Sequence, residues 1–177
     1  FLVERSGELD EKIFRMGGKI HYLYEKKDKA YYSALLQFFS DHAEYKVVHT
    51  HIHRRMGLVL KAAKKCGVPC RIAHSHNARN DLPKLVAFMK GLSSIPIEKA
   101  ATHFFACSSN AAKWLFPHKA NECKVLYNGI KLEDYLFKAE SRQKIRCSLG
   151  ISDDVFVMIH VGRFAKEKNH KFLIDIF

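Results

Sequence analysis

Short apolar runs alternate with longer amphipathic stretches along most of the chain, and this alternation most restricts the fold. The short runs are rich in β-branched and aromatic residues, as buried strands are, and the longer stretches carry apolar residues at helical spacing. Such an alternation is typical of an α/β fold with a Rossmann-like parallel sheet and helices on both faces. The predicted strands are 1–3, 19–24, 46–49, 70–74, 103–107, 124–126 and 155–161, and the predicted helices are 9–16, 28–45, 56–66, 82–101, 110–116 and 140–149.

The pattern changes near Asn128-Gly129, a pair that favours a turn. We therefore predict a first Rossmann-like domain over residues 1–127, and a linker with the incomplete start of a second domain over residues 128–177. Because the predicted strand 155–161 has too few neighbours to bury both of its faces, we expect it to pack on the first domain, pair with another copy or be partly disordered. We also expect the chain to be a piece of a longer protein that lacks the first strand and loop of its first domain.

The charge of the chain favours anionic partners. Thirty Lys and Arg residues against eighteen Asp and Glu give a net charge of +12, which attracts phosphates, acidic sugars, nucleic acid or anionic lipid headgroups. Hydrophobic residues make up 47% of the chain, as in a globular protein with a core. Five cysteines without a Cys-x-x-Cys pair argue against a disulfide framework and indicate a reducing compartment.

Two predicted strands end in pairs of histidines, His49-Thr50-His51 and His74-Ser75-His76-Asn77. Ligands of open α/β sheets bind at the carboxyl ends of the strands, and residues two apart on a strand face the same way. We favour a crevice wall that binds anions or hydroxyl groups, with one imidazole near a reacting sugar. Histidines that only form hydrogen bonds and cap loops are a second interpretation. A metal site is the least favoured, because no carboxylate or cysteine joins the histidines at ligand spacing.

Two cations follow the strongly apolar run 155–161, at a point where the chain starts a new helix. Arg163 comes directly after Gly162, and Lys168 precedes Asn169. A guanidinium can clamp two phosphate oxygens while an ammonium adds a point charge, which suits a departing diphosphate. A solvated basic loop explains the same residues, and the local sequence does not choose between the two.

Residues 128–135, Asn-Gly-Ile-Lys-Leu-Glu-Asp-Tyr, followed by His160-Val161-Gly162-Arg163-Phe164 and Lys168-Asn169, resemble the linker and first donor-site loop of the retaining GT-B glycosyltransferases of family 4. Residues 48–51 and 71–77 are similar to the two histidine-bearing strand ends in the branch that builds capsular, exopolysaccharide and lipopolysaccharide glycans. The resemblance covers nearly the whole chain.

The resemblance implies a two-domain GT-B enzyme that transfers a sugar from a nucleotide-diphosphate sugar to a glycan or lipid-linked acceptor with retention. The donor would lie mainly on the second domain and the acceptor on the first. Arg163 and Lys168 would hold the diphosphate and stabilise the leaving group, and His74 would line the cleft beside the transferred sugar. The other implied substrate-binding residues are His49, His51, His76, Asn77, Asn128 and Gly162. No metal or other cofactor is implied, because the cationic side chains supply the electrostatic stabilisation.

The chain departs from the family pattern at two places. The glycine-rich loop expected after the first strand is not among residues 1–177, nor are the paired glutamates that would contact the donor sugar. We therefore expect this chain to transfer no sugar by itself, although the intact protein would.

A cytoplasmic location follows from this interpretation, with contact at the inner face of the plasma membrane if the acceptor is lipid-linked. The basic, apolar patch Lys84–Lys90 would favour that anionic surface, although its apolar residues fit a core better. A nucleic-acid-binding module is an alternative that the charge supports, but the aromatic residues fall on apolar stripes instead of between basic residues. A nucleotide-sugar isomerase of Rossmann type is a further alternative, which would need a Gly-x-Gly-x-x-Gly turn.

Overall fold

The computed structural model describes residues 1–52, 55–77 and 94–177, which form an α/β protein. Every strand pair among these residues is parallel. Helices flank the sheets, so the predicted fold class is confirmed. The chain divides into two compact units, Phe1–Gly129 and Ile130–Phe177.

The first unit contains a two-stranded sheet in the order β1-β2 and a four-stranded sheet in the order β3-β4-β5-β6. Consecutive parallel strands are joined through helices, as a parallel sheet requires. The strands are β1 (Leu2–Val3), β2 (His21–Tyr22), β3 (Val47–Thr50), β4 (Cys70–Ser75), β5 (His103–Ala106) and β6 (Lys124–Val125). The helices are α1 (Asp10–Arg15), α2 (Asp28–Asp41), α3 (Met56–Lys65), α4 (94–100) and α5 (Ser109–Leu115).

Most predicted elements of this unit agree with the structure within about two residues, which is the usual uncertainty of element ends. The helix predicted over 28–45 is too long, because α2 ends at Asp41. The chain then turns, and the His42 and Tyr45 rings pack beside Phe38 at centroid distances of 4.6 and 6.2 Å. Of the helix predicted over 82–101, residues 94–100 are helical, and its first part, with the patch Lys84–Lys90, lies outside the described residues.

Helix α3 joins two hydrophobic clusters because it carries apolar residues on two stripes. Met56 and Leu60, one helical turn apart, belong to a cluster with Ala73 of β4 and Phe104 of β5. On the second stripe Val59 and Ala63 belong to a cluster with residues of α2. Burying one large apolar side chain stabilises a fold by about 1.5–3 kcal/mol, so these clusters hold the unit together. The α2 members are Tyr31, Leu35 and Phe39, and the first cluster also includes Ile97, Ala100, Leu115 and Phe116.

The strand register separates the core face of the four-stranded sheet from the face that bears the histidines. Thr50 pairs with Ala73, and Ala73 pairs with Phe104, so these three residues share a face. Side chains alternate along a strand, so His49 and His74 lie on the opposite face. The sequence therefore places the histidines away from the cluster that contains Met56 and Leu60.

A cavity of about 390 Å³ lies beside β3 in the first unit. Its lining includes residues of β1 and β3, and each of these strands pairs on one side only among the described residues. The cavity is therefore bounded by two strand edges and by side chains of α2 and α3. Its lining residues are Phe1, Leu2, His21, Phe38, Phe39, Tyr45, Val47, Val48, His49, Thr50, His51, Ile52 and Val59.

The second unit contains α6 (Ala139–Ser148) and α7 (His170–Ile176), with short 3₁₀ turns at Leu132–Tyr135 and Lys166–Lys168. Helix α6 confirms the helix predicted over 140–149. The strand predicted over 155–161 is wrong, because these residues are neither helix nor strand. A strand needs a neighbour for its backbone N–H and C=O groups, and no described residue of this unit forms one.

Candidate functional site

Four imidazoles come together where β3 and β4 end. Because β3 and β4 are adjacent and parallel, their carboxyl ends lie at the same edge of the sheet. The His49 and His74 rings stack at 5.2 Å with an interplanar angle of 5°, and the His51 and His76 rings stack at 5.0 Å. Within each strand the rings are closer still, at 4.2 Å for both His49–His51 and His74–His76. We call these four side chains the histidine cluster.

Hydrogen bonds within the histidine cluster run across the two strands. His49 Nε2 lies 3.1 Å from His74 Nδ1, and His51 Nδ1 lies 2.7 Å from His76 Nε2. In each pair one nitrogen must donate and the other accept, so the bonds fix the ring orientations. The sequence predicted that each strand aims two imidazoles at one surface, and the parallel register also joins the two pairs.

His74 is the buried member of the histidine cluster. Its side chain is 8% exposed, whereas His49, His51 and His76 are exposed. Its ring contacts the edge of Phe105 on β5 at a centroid distance of 5.9 Å. Among the residues that the structure describes, His74 Nε2 has no hydrogen-bond partner. A buried nitrogen without a partner costs about 1–3 kcal/mol, so this atom is suited to a ligand.

Three imidazoles of the cluster, those of His49, His51 and His74, resist protonation. Loss of hydration, and the neighbouring His76, His51 and His49 rings, lower the pKa of His74 to about 4. Loss of hydration also lowers the pKa of His49 and of His51, with a further contribution from His76 in both cases. These three imidazoles are therefore neutral at pH 7, and each carries one N–H donor and one lone pair.

Ring nitrogens of three histidines lie close enough to share a ligand. His49, His51 and His74 each offer one nitrogen, and the three atoms lie within 4.8 Å of one another. The cavity beside β3 reaches this place, because His49 and His51 are among its lining residues. The ring nitrogens can donate hydrogen bonds to, or accept them from, a polar molecule that enters the cavity beside β3.

The Ser75 hydroxyl beside the histidine cluster serves the fold, and it was not singled out from the sequence. Ser75 is buried, and its hydroxyl donates to the Ala111 carbonyl oxygen at 2.9 Å. The same hydroxyl lies 3.4 Å from the carbonyl oxygen of Asn77. These bonds tie the end of β4 to α5, which holds the backbone beside His74 and His76. Asn77 itself is exposed, and His53, which follows His51 by two residues in the sequence, lies outside the described residues.

In the second unit, the loop between residues 160 and 170 folds around the ring of His170. The His160 and Phe164 rings lie 4.7 and 4.8 Å from it. A Cβ at Gly162 would lie 3.2 Å from Cγ of Lys168, so the glycine lets the backbone before Arg163 approach the stem of that lysine. Sequence reasoning missed His170. Its ring contacts residues 160 and 164, and these positions do not lie within one predicted helix or strand with residue 170, so the sequence did not indicate that the rings would meet.

The other predicted residues of this region are exposed. Arg163 and Lys168 present their side chains to solvent, as Asn128 does at the end of the first unit. Asn169 adopts the left-handed conformation, with a φ of 49°, directly before α7. Asparagine is among the residues that adopt this conformation most readily.

In the ranges 1–52, 55–77 and 94–177, no helix has both the length and the apolar character needed to cross a membrane.

Two curated proteins match nearly the whole chain. The first, "Putative glycosyltransferase EpsF" of Bacillus subtilis (strain 168), is 27% identical over 180 residues, which cover 94% of this chain and 46% of that protein. The second, "Capsular polysaccharide biosynthesis glycosyltransferase CapH" of Staphylococcus aureus, is 28% identical over 182 residues, which cover 97% and 46% of the two chains. The chain therefore spans about half the length of the curated relatives that it matches. No family model matches it.

Two solved structures share the fold, and both are of HepE (Alr3699) from Anabaena. The structure of HepE in complex with UDP superposes with a TM-score of 0.76 at 16% identity, over 98% of this chain and 48% of that one. The structure of HepE with UDP and glucose gives a TM-score of 0.75. At this identity the match establishes the similarity of fold and nothing finer.

Proposed function

We propose that the protein is a glycosyltransferase of polysaccharide biosynthesis, which moves a sugar from a nucleotide-diphosphate donor to a glycan or lipid-linked acceptor with retention. The observation that carries this proposal is the match of nearly the whole chain to two proteins named as glycosyltransferases. The fold shared with a UDP-bound protein supports a nucleotide donor. Neither a nucleic-acid-binding module nor a nucleotide-sugar isomerase is favoured by these relatives.

The histidine cluster is the proposed wall of the acceptor and sugar site. In this proposal His74 lies beside the transferred sugar, and His49, His51, His76 and Asn77 line the approach. Each ring keeps one nitrogen outside the internal hydrogen bonds, and that nitrogen can donate to or accept from a sugar hydroxyl group according to the tautomer of the ring. The unpartnered Nε2 atom of His74 supports a direct contact with a substrate hydroxyl.

The loop from Gly162 to Lys168 is the proposed diphosphate site, with Asn128 in the linker on the donor side. Arg163 would clamp two phosphate oxygens and Lys168 would add a point charge, which stabilises the diphosphate as it leaves. The close approach of Gly162 to Lys168 supports this role, because it brings that lysine to the backbone that carries Arg163. No metal ion is needed for this electrostatic stabilisation.

An NMR titration of residues 1–177 with UDP tests the diphosphate site. We expect the amide signals of residues 162–169 to shift, because backbone groups of this loop would contact the phosphates. Uridine is the matched control ligand, since it keeps the base and ribose and lacks the diphosphate. Equal shifts with uridine, or shifts confined to the first unit, would contradict the proposed site.

The cavity beside β3 supports the proposed domain organisation, in which residues 1–127 form the acceptor-side domain without its first strand. Both strand edges at the cavity are unpaired among the described residues, so a further parallel strand would lie between β1 and β3 in this proposal. Residues 128–177 would then be the linker and the beginning of the donor-binding domain. Because the matched relatives are about twice as long, we expect that residues 1–177 alone do not complete the donor pocket.

An assay with labelled nucleotide sugars and a lipid-linked acceptor tests this organisation. We expect no transfer by residues 1–177 and transfer by a protein of the relatives' length that contains them. Turnover by residues 1–177 at the rate of the longer protein would show that the shorter chain is sufficient.

Two further partners belong to the proposal. A lipid-linked acceptor would bring the basic protein to an anionic membrane surface at the inner face of the plasma membrane, and flotation with anionic and neutral liposomes tests this contact.

The apolar side chains of Phe156, Ile159 and Val161 are 78%, 79% and 89% exposed, which supports self-association through the second unit. Light scattering across a range of protein concentrations tests it, and a monomer at every concentration would contradict it.

A further inference from the structure

The histidine cluster has more nitrogen atoms than its internal hydrogen bonds use. Two hydrogen bonds join the four rings in pairs, and each bond occupies one nitrogen of each ring. The second nitrogen of every ring is left over, and for His74 it is a buried atom without a partner among the described residues. The hydrogen-bonded nitrogens can in addition exchange their bond for a shared metal ion, which would engage several rings at once.

We propose that His49, His51 and His74 form a binding site for a divalent transition-metal ion, with Zn²⁺ as the probe that fits best. The three histidines each offer a ring nitrogen, and these atoms lie within 4.8 Å of one another. Ligand nitrogens of a tetrahedral zinc site lie about 3.3 Å apart, given Zn–N bonds of about 2.0–2.1 Å. His49 Nε2 and His74 Nδ1 lie 3.1 Å apart, so an ion that replaces the hydrogen bond between them would bind both with little movement.

The structure allows the ring nitrogens to move into the geometry of a zinc site. His49 and His51 are exposed, so once the hydrogen bond between His49 and His74 is released, their rings can turn toward the ion without disturbing the hydrophobic clusters. The backbone stays fixed, because His49 pairs with Ile72 in the strand ladder and His74 pairs with Phe105. His76 contacts His51 at 2.7 Å and orients it, as partners of metal-bound imidazoles commonly do.

The donor atoms define the class of metal. Imidazole nitrogen suits Zn²⁺, Cu²⁺, Ni²⁺ and Co²⁺, whereas Mg²⁺ and Ca²⁺ prefer oxygen ligands. Three histidines are a sufficient set for zinc and leave one coordination position open. The carboxylate or cysteine that the sequence lacks near these histidines is therefore not required. The site depends on the geometry of the first unit and not on the proposed sugar transfer.

The test is a calorimetric titration of metal-stripped residues 1–177 with ZnCl₂, with MgCl₂ as the control salt. We expect one Zn²⁺ per chain and no binding of Mg²⁺ at the same concentration. The variants His49→Ala, His51→Ala and His74→Ala should each weaken Zn²⁺ binding by at least about tenfold. His118→Ala is the matched control, because that exposed imidazole pairs with Glu98 elsewhere in the first unit, and it should bind Zn²⁺ as the unchanged chain does.

A second measurement identifies the ligand atoms. Co²⁺ bound by imidazoles should give the visible absorption of a four-coordinate ion without thiolate charge-transfer bands, and the bands should weaken in His49→Ala and His51→Ala. These two variants alter exposed side chains, so they should retain the circular dichroism spectrum of the unchanged chain. Zn²⁺ binding that is unchanged in both, or Co²⁺ spectra with thiolate bands, would overturn the proposal. Zn²⁺ binding by residues 1–177 together with no sugar transfer by a protein of the relatives' length would overturn the proposed function and leave this site standing.

Discussion

The two units of the chain use similar apolar sequences with different results. In the first unit, β4 and β5 pair with neighbours on both sides, and residues such as Ala73 and Phe104 are buried. In the second unit, residues 155–161 are at least as apolar as β4 and β5 of the first unit, but no described residue of the second unit is buried. An apolar run therefore becomes a strand only where a neighbouring strand is available to pair with it.

The same contrast applies to the two candidate sites. The histidine cluster takes its geometry from the ladder between β3 and β4, which fixes which rings meet. The loop of Arg163 and Lys168 is organised by local contacts around His170. We therefore expect the first site to be formed in residues 1–177 and the second to gain its final geometry only with its ligand or with further sequence.

Truncating one apolar side chain in each unit should give the largest difference between the units in the free energy of unfolding. Leu60→Ala in the first unit should lower the free energy of unfolding by about 3 kcal/mol, because Leu60 is fully buried. Ile174→Ala in the second unit should lower it by less than about 0.5 kcal/mol, since Ile174 is exposed. Urea unfolding followed by the fluorescence of Trp114, the single tryptophan, measures the first value, and circular dichroism measures the second. Equal losses would show that the second unit has a core of its own.

Acid should destabilise the first unit through His74. Its pKa is about 4 in the folded chain and about 6.5 in an unfolded one, so the unfolded state binds more protons between these values. The free energy of unfolding should have its full value above pH 6.5 and should fall by up to about 3 kcal/mol as the pH drops to 4. Urea unfolding at a series of pH values measures this slope.

A variant assigns that slope to His74. His74→Gln should flatten the dependence on pH between 6.5 and 4, because glutamine does not titrate. His118→Gln is the control for the loss of an exposed imidazole outside the histidine cluster. The same slope in His74→Gln as in the unchanged chain would refute the assignment.

Removing either cation of the second unit should weaken UDP binding by about 1–2 kcal/mol, or roughly five- to thirtyfold. The expected effect is moderate because Arg163 and Lys168 are exposed and water competes for the phosphates. Calorimetry with Arg163→Ala and Lys168→Ala measures it. Lys144→Ala, on α6 of the same unit, is the matched control for the loss of one positive charge and should change the affinity little.

Substitutions at the residues that precede α5 and α7 should give the smallest difference in stability loss between the units. Ser108 caps α5, since its hydroxyl accepts a hydrogen bond from the Ala111 N–H at 3.1 Å, and Ser108→Ala should cost about 1 kcal/mol. Asn169 precedes α7 with no side-chain cap bond and a φ of 49°, so Asn169→Gly should change stability by less than about 0.5 kcal/mol. Thermal unfolding compares the two, and a larger loss for Asn169→Gly would reverse the ranking.

The sequence predicted the elements of the first unit well because their periodicity and their burial agree. Helix α3 is an example, since its apolar stripes at helical spacing are the ones that contact β4 and α2. The strand predicted over 155–161 failed because apolar content does not reveal whether a partner strand exists. The same limit explains the end of α2, where packing of the His42 and Tyr45 rings ends the helix earlier than its pattern indicates.

The candidate site was predictable in its residues and not in its contacts. Spacing of two placed His49 with His51, and His74 with His76, on one face of each strand. The pairing of His49 with His74 depends on the register between β3 and β4, which the sequence of either strand does not specify. The edge contact with Phe105 and the burial of His74 depend in turn on the position of β5. Whether Asn128, Arg163 and Lys168 bind the donor stays a prediction.

Sugar transfer by a protein of the relatives' length that contains residues 1–177 tests the central claim most directly. With labelled nucleotide sugars and a lipid-linked acceptor, we predict turnover that falls by about a hundredfold or more in Arg163→Ala, because that guanidinium would stabilise the leaving diphosphate. Lys144→Ala should keep the full rate. Turnover that is unchanged in Arg163→Ala, or no transfer from any nucleotide sugar, would contradict the account.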